Sequence, residues 1–357
     1  MKIKSHSKTY SVEIVDRHHI EKILKTPYRL IIIDEKVFHI YKNTLLSNID
    51  PSSVYLFKAI ESKKNINSAL AICKKMAEIS FKRAEELLSI GGGIVQDVTG
   101  FAANIYNRGV KWTFIPTTLL AQCDSCIGSK TSLNYLNFKN LLGTFYAPDR
   151  IYIYLDFVKT LTEDDYLSGL GEVAKFNIMS AKDGIDLLER NMEKLLGRDV
   201  KTLKFFTERS LNFKKTFIEK DEYDFGIRNL LNFAHTFGHA FEKVSNYKVP
   251  HGQAVTLGLM TANHIAAARN ILKREKADQI NKMVVCLLSV RLKKIWFQTE
   301  QIVNAVKRDK KRTTRYLPAV LFSSNNKLKV YQDIKAEEID KALNRVIVFL
   351  EKNNRLR

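Results

Sequence analysis

Two imidazoles stand four residues apart in Asn232-Phe233-Ala234-His235-Thr236-Phe237-Gly238-His239, and a third, His251, follows in Pro250-His251-Gly252-Gln253. Positions i and i+4 of a helix share one face, so His235 and His239 can address one ligand. Three of the chain's eight histidines within 17 residues suit a metal or an acid–base site. Two surface histidines on one helix would give the same pattern, and a bare H-x-x-x-H does not separate the readings. A carboxylate tips the balance. Glu172, in Gly169-Leu170-Gly171-Glu172-Val173-Ala174-Lys175, would complete a Glu-His-His set with an open position, as in catalytic zinc centres. Spacing leaves open which of the two helix histidines is the ligand. Lys175, three residues after Glu172, is its neighbour on a helix; a surface ion pair there would contribute little.

A second group of residues suits a nucleotide. Gly91-Gly92-Gly93 follows an apolar run, and such glycines let the backbone approach a pyrophosphate at the start of the next helix. A plain structural turn would contain the same residues. Asp34 closes Arg29-Leu30-Ile31-Ile32-Ile33-Asp34 and can accept ribose hydroxyls or cap a helix. Pro116-Thr117-Thr118 ends another strand and offers hydroxyls at the carboxyl edge of a sheet, where ligands bind in open α/β folds. Asp124, Lys130, Asn134, Lys139 and Asn140 follow within 17 residues. Their charges suit a phosphorylated, hydroxyl-rich ligand, although a solvated loop also carries lysines.

Elements able to hold these residues are legible. Short strands at 29–34, 86–90 and 112–116 alternate with helical pattern through 69–76 and 94–107, the layout of a nucleotide-binding crossover. Past residue 156 strand signals fade. Segments 163–195, 200–219, 229–246, 253–272, 275–288, 299–308 and 335–352 read as helices, with a weak strand pair near 317–331. The expected architecture is a Rossmann-like, nucleotide-binding α/β domain over 1–157 and a mostly α-helical metal- and substrate-binding domain over 158–357. At 357 residues, two cores are the natural expectation.

Composition narrows the class. A hydrophobic content of 45% fits a packed enzyme rather than a disordered chain. The start leads into no apolar run and no stretch approaches a bilayer span, so a soluble cytoplasmic protein is expected. Cys123-Asp124-Ser125-Cys126 has redox or metal spacing, but no second pair accompanies it, and both read as reduced thiols. The formal charge of +20 is densest at Lys307–Arg315. It would also suit nucleic acid, but lysines are scattered along the chain without a nucleic-acid motif. A site for phosphorylated anions accounts for it better.

Taken together these segments resemble one family, 3-dehydroquinate synthase, within the sugar phosphate cyclases. The likeness runs from about Asp34 to Lys311. It is carried by Gly91-Gly-Gly-Ile-Val-Gln-Asp97, Asn107-Arg108-Gly109, Pro116-Thr-Thr-Leu-Leu-Ala-Gln122, Asp124, Lys130-Thr131, Lys139-Asn140, Gly169-Leu-Gly-Glu172-Val-Ala-Lys175, Arg228-Asn-Leu-Leu-Asn232-Phe-Ala-His235-Thr-Phe-Gly-His239 and His251-Gly-Gln-Ala-Val. The resemblance implies zinc, or cobalt in its place, on Glu172, His235 and His251, with His239 facing substrate. It implies NAD on Asp34, Glu61, Lys64, Gly92, Gly93, Asp97, Thr117, Thr118, Lys130, Lys139 and Thr160. Catalytic roles fall to His239, Lys130, Lys175, Arg228 and Asn232. Further substrate contacts fall to Arg108, Asp124, Asn140 and Lys214, and to Lys310, Lys311 or both. The implied reaction turns 3-deoxy-D-arabino-heptulosonate 7-phosphate into 3-dehydroquinate and phosphate. It proceeds by transient oxidation, β-elimination, re-reduction and aldol closure, and a homodimer is implied as well.

The chain departs from the family pattern at several positions. Ser129 replaces the second glycine before the lysine, and Ser132-Leu133 replaces Gly-Val. Ala234 replaces Gly before the metal histidine, Gln253 replaces Glu after His251-Gly, and Ile60 replaces the Gly before Glu61. None removes an implied ligand. The rival readings are a cyclase with another sugar phosphate, a metal- and NAD-dependent polyol dehydrogenase, and a basic nucleic-acid-binding protein.

Overall fold

The computed structural model describes residues 1–136, 138–180, 183–309, 316–325 and 327–356. It divides into two compact units. One comprises 1–160 with 215–223, the other 161–214 with 224–357.

The first unit is built on strands β1 (Lys2–Lys4), β2 (Thr9–Ile14), β3 (Leu30–Asp34), β4 (Val54–Phe57), β5 (Glu86–Gly91), β6 (Lys111–Pro116), β7 (Lys130–Tyr135), β8 (Phe138–Phe145) and β9 (Arg150–Ile153). Its helices are α1 (Arg17–Leu24), α2 (Glu35–Tyr41), α3 (Ile66–Glu78) and α4 (Gly93–Ile105). Seven strands form one sheet in the order β1-β2-β9-β6-β5-β3-β4, parallel except for the β1–β2 pair. The central strands are apolar on both faces, as a sheet covered by crossover helices requires. Ile31, Ile33, Leu88, Ile90 and Ile115 lie in one buried cluster. In register, Ile33 pairs with Ile90 and Gly91 with Pro116. Asp34, Gly91 and Pro116 therefore end neighbouring strands on the carboxyl edge. The order reverses between β3 and β5, the kind of switch point where such sheets bind ligands.

Strands β7 and β8 form a separate antiparallel hairpin. The lysines of this segment also fit a solvated loop; cross-strand pairing such as Thr131 with Thr144 and Leu133 with Leu142 makes it a hairpin instead.

The second unit is helical, as expected. It comprises α5 (Glu163–Ser180), α6 (Gly184–Leu196), most of α7 (Val200–Ile218), α8 (His235–Val244), α9 (His251–Ala268), α10 (Arg274–Val284), α11 (Thr299–Asp309) and α12 (Ala336–Lys352), with the antiparallel pair β10 (Leu317–Phe322) and β11 (Leu328–Ile334). Helices α5 and α9 carry long runs of buried residues, Tyr166–Met179 and Gly252–Asn263. A helix apolar around its whole circumference belongs at a core rather than on its rim. The segment 229–246 is not one helix. A 3₁₀ turn over Ile227–Asn232 ends before Ala234, whose φ of +69° breaks the chain direction, and α8 starts afresh at His235. Among the described residues no helix is long and apolar enough to cross a membrane.

Candidate functional site

Two glycines place the carboxylate beside a histidine. A Cβ on Gly171 would stand 2.3 Å from the Gly252 carbonyl oxygen, and one on Gly252 would stand 1.7 Å from the Ser168 carbonyl oxygen. Only bare backbone lets α5 and α9 approach this closely. The Gly252 amide also donates to Ser168 Oγ at 2.9 Å. Glu172 follows Gly171 and His251 precedes Gly252, so the same contact brings these two side chains together.

His235 Nε2 and His251 Nε2 each lie 3.4 Å from Glu172 Oε1. The ligand atoms of Glu172, His235 and His251 all fall within 4.8 Å of one another. Each imidazole is occupied at its other nitrogen. His235 Nδ1 lies 3.1 Å from the Phe233 carbonyl oxygen, and His251 Nδ1 lies 3.2 Å from Glu242 Oε2. With the proton on Nδ1, each ring leaves its Nε2 lone pair on the side of Glu172, the arrangement of ligated histidines. His239 stands close by, its ring centroid 5.3 Å from that of His235 and 5.9 Å from that of His251. A second overlapping group, His239, Glu242 and His251, also has its ligand atoms within 4.8 Å.

The charge on Glu172 is held in a fully buried place. Lys175 Nζ lies 2.7 Å from its Oε2 and donates to the Leu231 carbonyl at 3.3 Å. The pair is thus internal, not the surface pair that spacing alone allowed. Neither Glu172 oxygen has a hydrogen bond of good geometry, and a buried carboxylate so placed suits a cation. Burial, the largest influence, pushes this carboxyl up, but Lys175, His235 and His251 outweigh it and hold it well below the usual carboxylate range. His235 falls well below its usual value, through burial first and the Lys175 charge second. Burial lowers His251 too, but Glu242 and Glu172 outweigh it and raise the group to about 10. A neutral His235 and an ionised Glu172 are the forms that bind a metal, and His251, held protonated between its two carboxylates, must release its Nε2 proton when a cation takes that place. The donor set therefore fits zinc or cobalt.

Other residues singled out in the sequence lie in the same unit. Lys175, Lys214 and Arg228 are buried and Asn232 is half-buried.

In the first unit, the expected nucleotide residues gather near the carboxyl edge and the β7–β8 hairpin. A Cβ on Gly92 would press on the Thr118 methyl at 3.0 Å, so glycine keeps the backbone bare at the amino end of α4. The Thr117 amide donates to the Gly91 carbonyl at 2.9 Å. This cradle fits a pyrophosphate. Lys64 Nζ lies 2.5 Å from Asp97 Oδ2 and donates to Asn140 Oδ1 at 2.7 Å. Burial raises the Asp97 carboxyl, with Lys64 opposing. Glu61 accepts from Asn134 at 2.8 Å and pairs with Lys139 at 3.6 Å. Asp34 caps α2, accepting from the Lys36 amide at 3.0 Å, and Thr160 shares a 2.9 Å hydrogen bond with Tyr41. Lys130 opens β7 with its side chain exposed, Asp124 lies in a π-helical turn over Ala121–Ser125, and Arg108 is exposed with φ +60°. Lys310 and Lys311 lie outside the described residues.

Pattern reading missed three contributors. Glu242 carried a signal, standing three residues after His239 on the same helix. Ser132 donates to Asp97 Oδ2 at 3.0 Å through its hydroxyl and to Oδ1 at 3.1 Å through its amide. Glu222, fully buried, accepts from the Ser5 hydroxyl, the His6 amide and the Ser129 hydroxyl; no spacing announces it. Cys123 and Cys126 are buried and are not joined in a disulfide.

Comparison with known proteins agrees with this architecture. A family model described as 3-dehydroquinate synthase N-terminal matches residues 54–168, and one described as 3-dehydroquinate synthase C-terminal matches 169–312. A 3-dehydroquinate synthase from Dictyoglomus turgidum is 36% identical over 305 residues, covering 85% of this chain and 85% of its own. One from Clostridium tetani is 35% identical over 331 residues, covering 90% and 86%. Among solved structures, 2-epi-5-epi-valiolone synthase from Streptomyces hygroscopicus, with NAD+ and Zn2+ bound, shares the fold. Its TM-score is 0.83 at 24% identity, with 95% of this chain and 97% of that one covered. With the two family models matching consecutive stretches from 54 to 312 and relatives alike over most of their length, the chain belongs to the 3-dehydroquinate synthase family.

Proposed function

We propose that the protein converts 3-deoxy-D-arabino-heptulosonate 7-phosphate into 3-dehydroquinate and phosphate, a carbon–oxygen lyase reaction with no net redox change. The observation that carries this is the convergence of Glu172 Oε1, His235 Nε2 and His251 Nε2 within a chain of this family. When bound, the metal supplies Lewis acidity and NAD a reversible hydride acceptor. Glu172, His235 and His251 hold the metal. Asp34, Glu61, Lys64, Gly92, Gly93, Asp97, Thr117, Thr118, Lys130, Lys139 and Thr160 hold NAD.

The chain's own groups recognise charge and move protons. Arg228 presents a planar fork that matches a carboxylate. Lys130, Lys175 and Lys214 offer ammonium groups to phosphate and hydroxyl oxygens, and Arg108, Asp124, Asn140 and Asn232 complete the polar contacts, with Lys310 or Lys311 on the phosphate. His239, beside the metal histidines, is the group placed to shuttle a proton at the substrate. The catalytic contribution is positioning and preorganised charge. The protein works in the cytoplasm as a homodimer, which sedimentation tests.

The deciding experiment is phosphate release from 3-deoxy-D-arabino-heptulosonate 7-phosphate with NAD and zinc, with a chelator control. Chelator-sensitive release yielding 3-dehydroquinate without net NADH is expected. A folded, metal-loaded protein that releases no phosphate overturns the assignment.

A further inference from the structure

Glu242 lies on α8, seven residues after His235 and three after His239, so it lies on the same side of the helix. Its side chain is 13% exposed, and its Oε2 stands 3.2 Å from His251 Nδ1. The other nitrogen of that ring, Nε2, lies 3.4 Å from Glu172 Oε1. The two carboxylates thus hold His251 at opposite ends.

A neutral imidazole carries one lone pair, and it is available at Nε2 only when the proton resides on Nδ1. A carboxylate against Nδ1 selects that tautomer and fixes the ring plane. His235 achieves the same through the Phe233 carbonyl, so both candidate ligands are oriented from behind. His251 needs the orienting group more, because it opens α9 as its first residue and lacks a carbonyl partner for Nδ1 of the kind His235 has.

We infer that Glu242 is a positioning residue for the metal centre, holding His251 with its proton on Nδ1 and its Nε2 aimed at the ion. This rests on the metal site proposed above. Glu242 does not itself bind the ion. The overlapping group of His239, Glu242 and His251 shares His251 with the first, and that ring's Nδ1 already faces the Glu242 carboxylate at 3.2 Å.

The test is zinc affinity of the full chain, measured by competition with a chelating dye alongside metal content per chain. Removing such an orienting partner weakens metal binding about 10- to 100-fold, and that loss is expected for Glu242→Ala. Glu242→Gln keeps an oxygen able to accept the Nδ1 proton and is expected to fall between; it also carries the test if the alanine variant fails to fold. Nitrogen-15 spectra of the zinc-loaded protein should show His251 protonated at Nδ1, and this signal should weaken in the variants. Unchanged zinc affinity in both variants overturns the inference. So does a wild-type content of two zinc ions per chain that drops to one in both Glu242→Ala and His239→Ala, which would make Glu242 a ligand. A wild type that binds no zinc removes the metal site itself, a failure distinct from these.

Discussion

Ser129 donates its hydroxyl to Glu222 Oε1 at 2.7 Å, although its own backbone sits in the left-handed region at φ +64°. Serine rarely adopts that conformation, and glycine adopts it freely. Both side chains are buried, and the next residue is Lys130, the first of β7. Substitution separates the two effects. Ser129→Gly relieves a backbone cost of about 1 kcal/mol but removes a hydrogen bond to a charged group worth about 1.5–3 kcal/mol. Ser129→Ala loses the bond and keeps the cost. The expected order of stability in urea unfolding is wild type, then Gly, then Ala. A glycine variant more stable than wild type would show that the hydroxyl contributes less than the backbone relief.

Acid should expose the same network. Burial, the largest influence, raises the Glu222 carboxyl, but the Ser5 and Ser129 hydroxyls and the His6 and Ser7 amides together bring it below its ordinary value of 4.5. A carboxyl lowered on folding contributes stability that is complete above its unfolded value and lost as pH falls through the folded one. Glu222→Gln should therefore be less stable than wild type at pH 7, and the gap should narrow below pH 4. Urea unfolding at the two pH values measures it, and a gap independent of pH would exclude this account.

How much of this was legible in the sequence depended on range. Apolar runs and the three glycines marked β3, β5, α4 and β6, because local pattern and buried parallel strands coincide there. The hairpin of β7 and β8 was invisible, since its pairing is made by contacts that composition does not carry. Likewise, H-x-x-x-H left His235 and His239 equivalent. What distinguishes them is Glu172 on α5, 63 residues away, whose Oε1 lies near His235 Nε2 and His251 Nε2. Residues 215–223 grouping with the first unit is a relation of the same kind, and so is Glu222 reaching Ser5.

The α5–α9 contact makes a sharper prediction. A Cβ at Gly252 would stand 1.7 Å from the Ser168 carbonyl oxygen, a backbone atom unable to rotate away. Gly252→Ala must push the helices apart. Overpacking of this kind costs about 1–3 kcal/mol or more, and it displaces His251 from Glu172. Both unfolding stability and zinc affinity should fall. A variant with reduced stability but wild-type zinc affinity would mean that the helix spacing does not set the ligand geometry.

Lys175 offers a test of charge balance. Glu172 is fully buried and Lys175 nearly so, with 2.7 Å between them. Removing one partner of a buried pair leaves the other charge uncompensated, at a cost of about 3–5 kcal/mol. Methionine retains most of the volume, so Lys175→Met isolates the charge. In the metal-free protein a loss toward the lower end of this range is expected, because the protonated His251 also faces Glu172. A divalent cation on Glu172, His235 and His251 would neutralise the same carboxylate from its other oxygen, and ligand binding stabilises the folded state in proportion to its affinity. The deficit of the variant should therefore shrink when zinc is saturating and return when a chelator is added. Urea unfolding under the two conditions reads this directly. An equal deficit in both would mean that the metal and Lys175 do not share Glu172 as their common counter-charge.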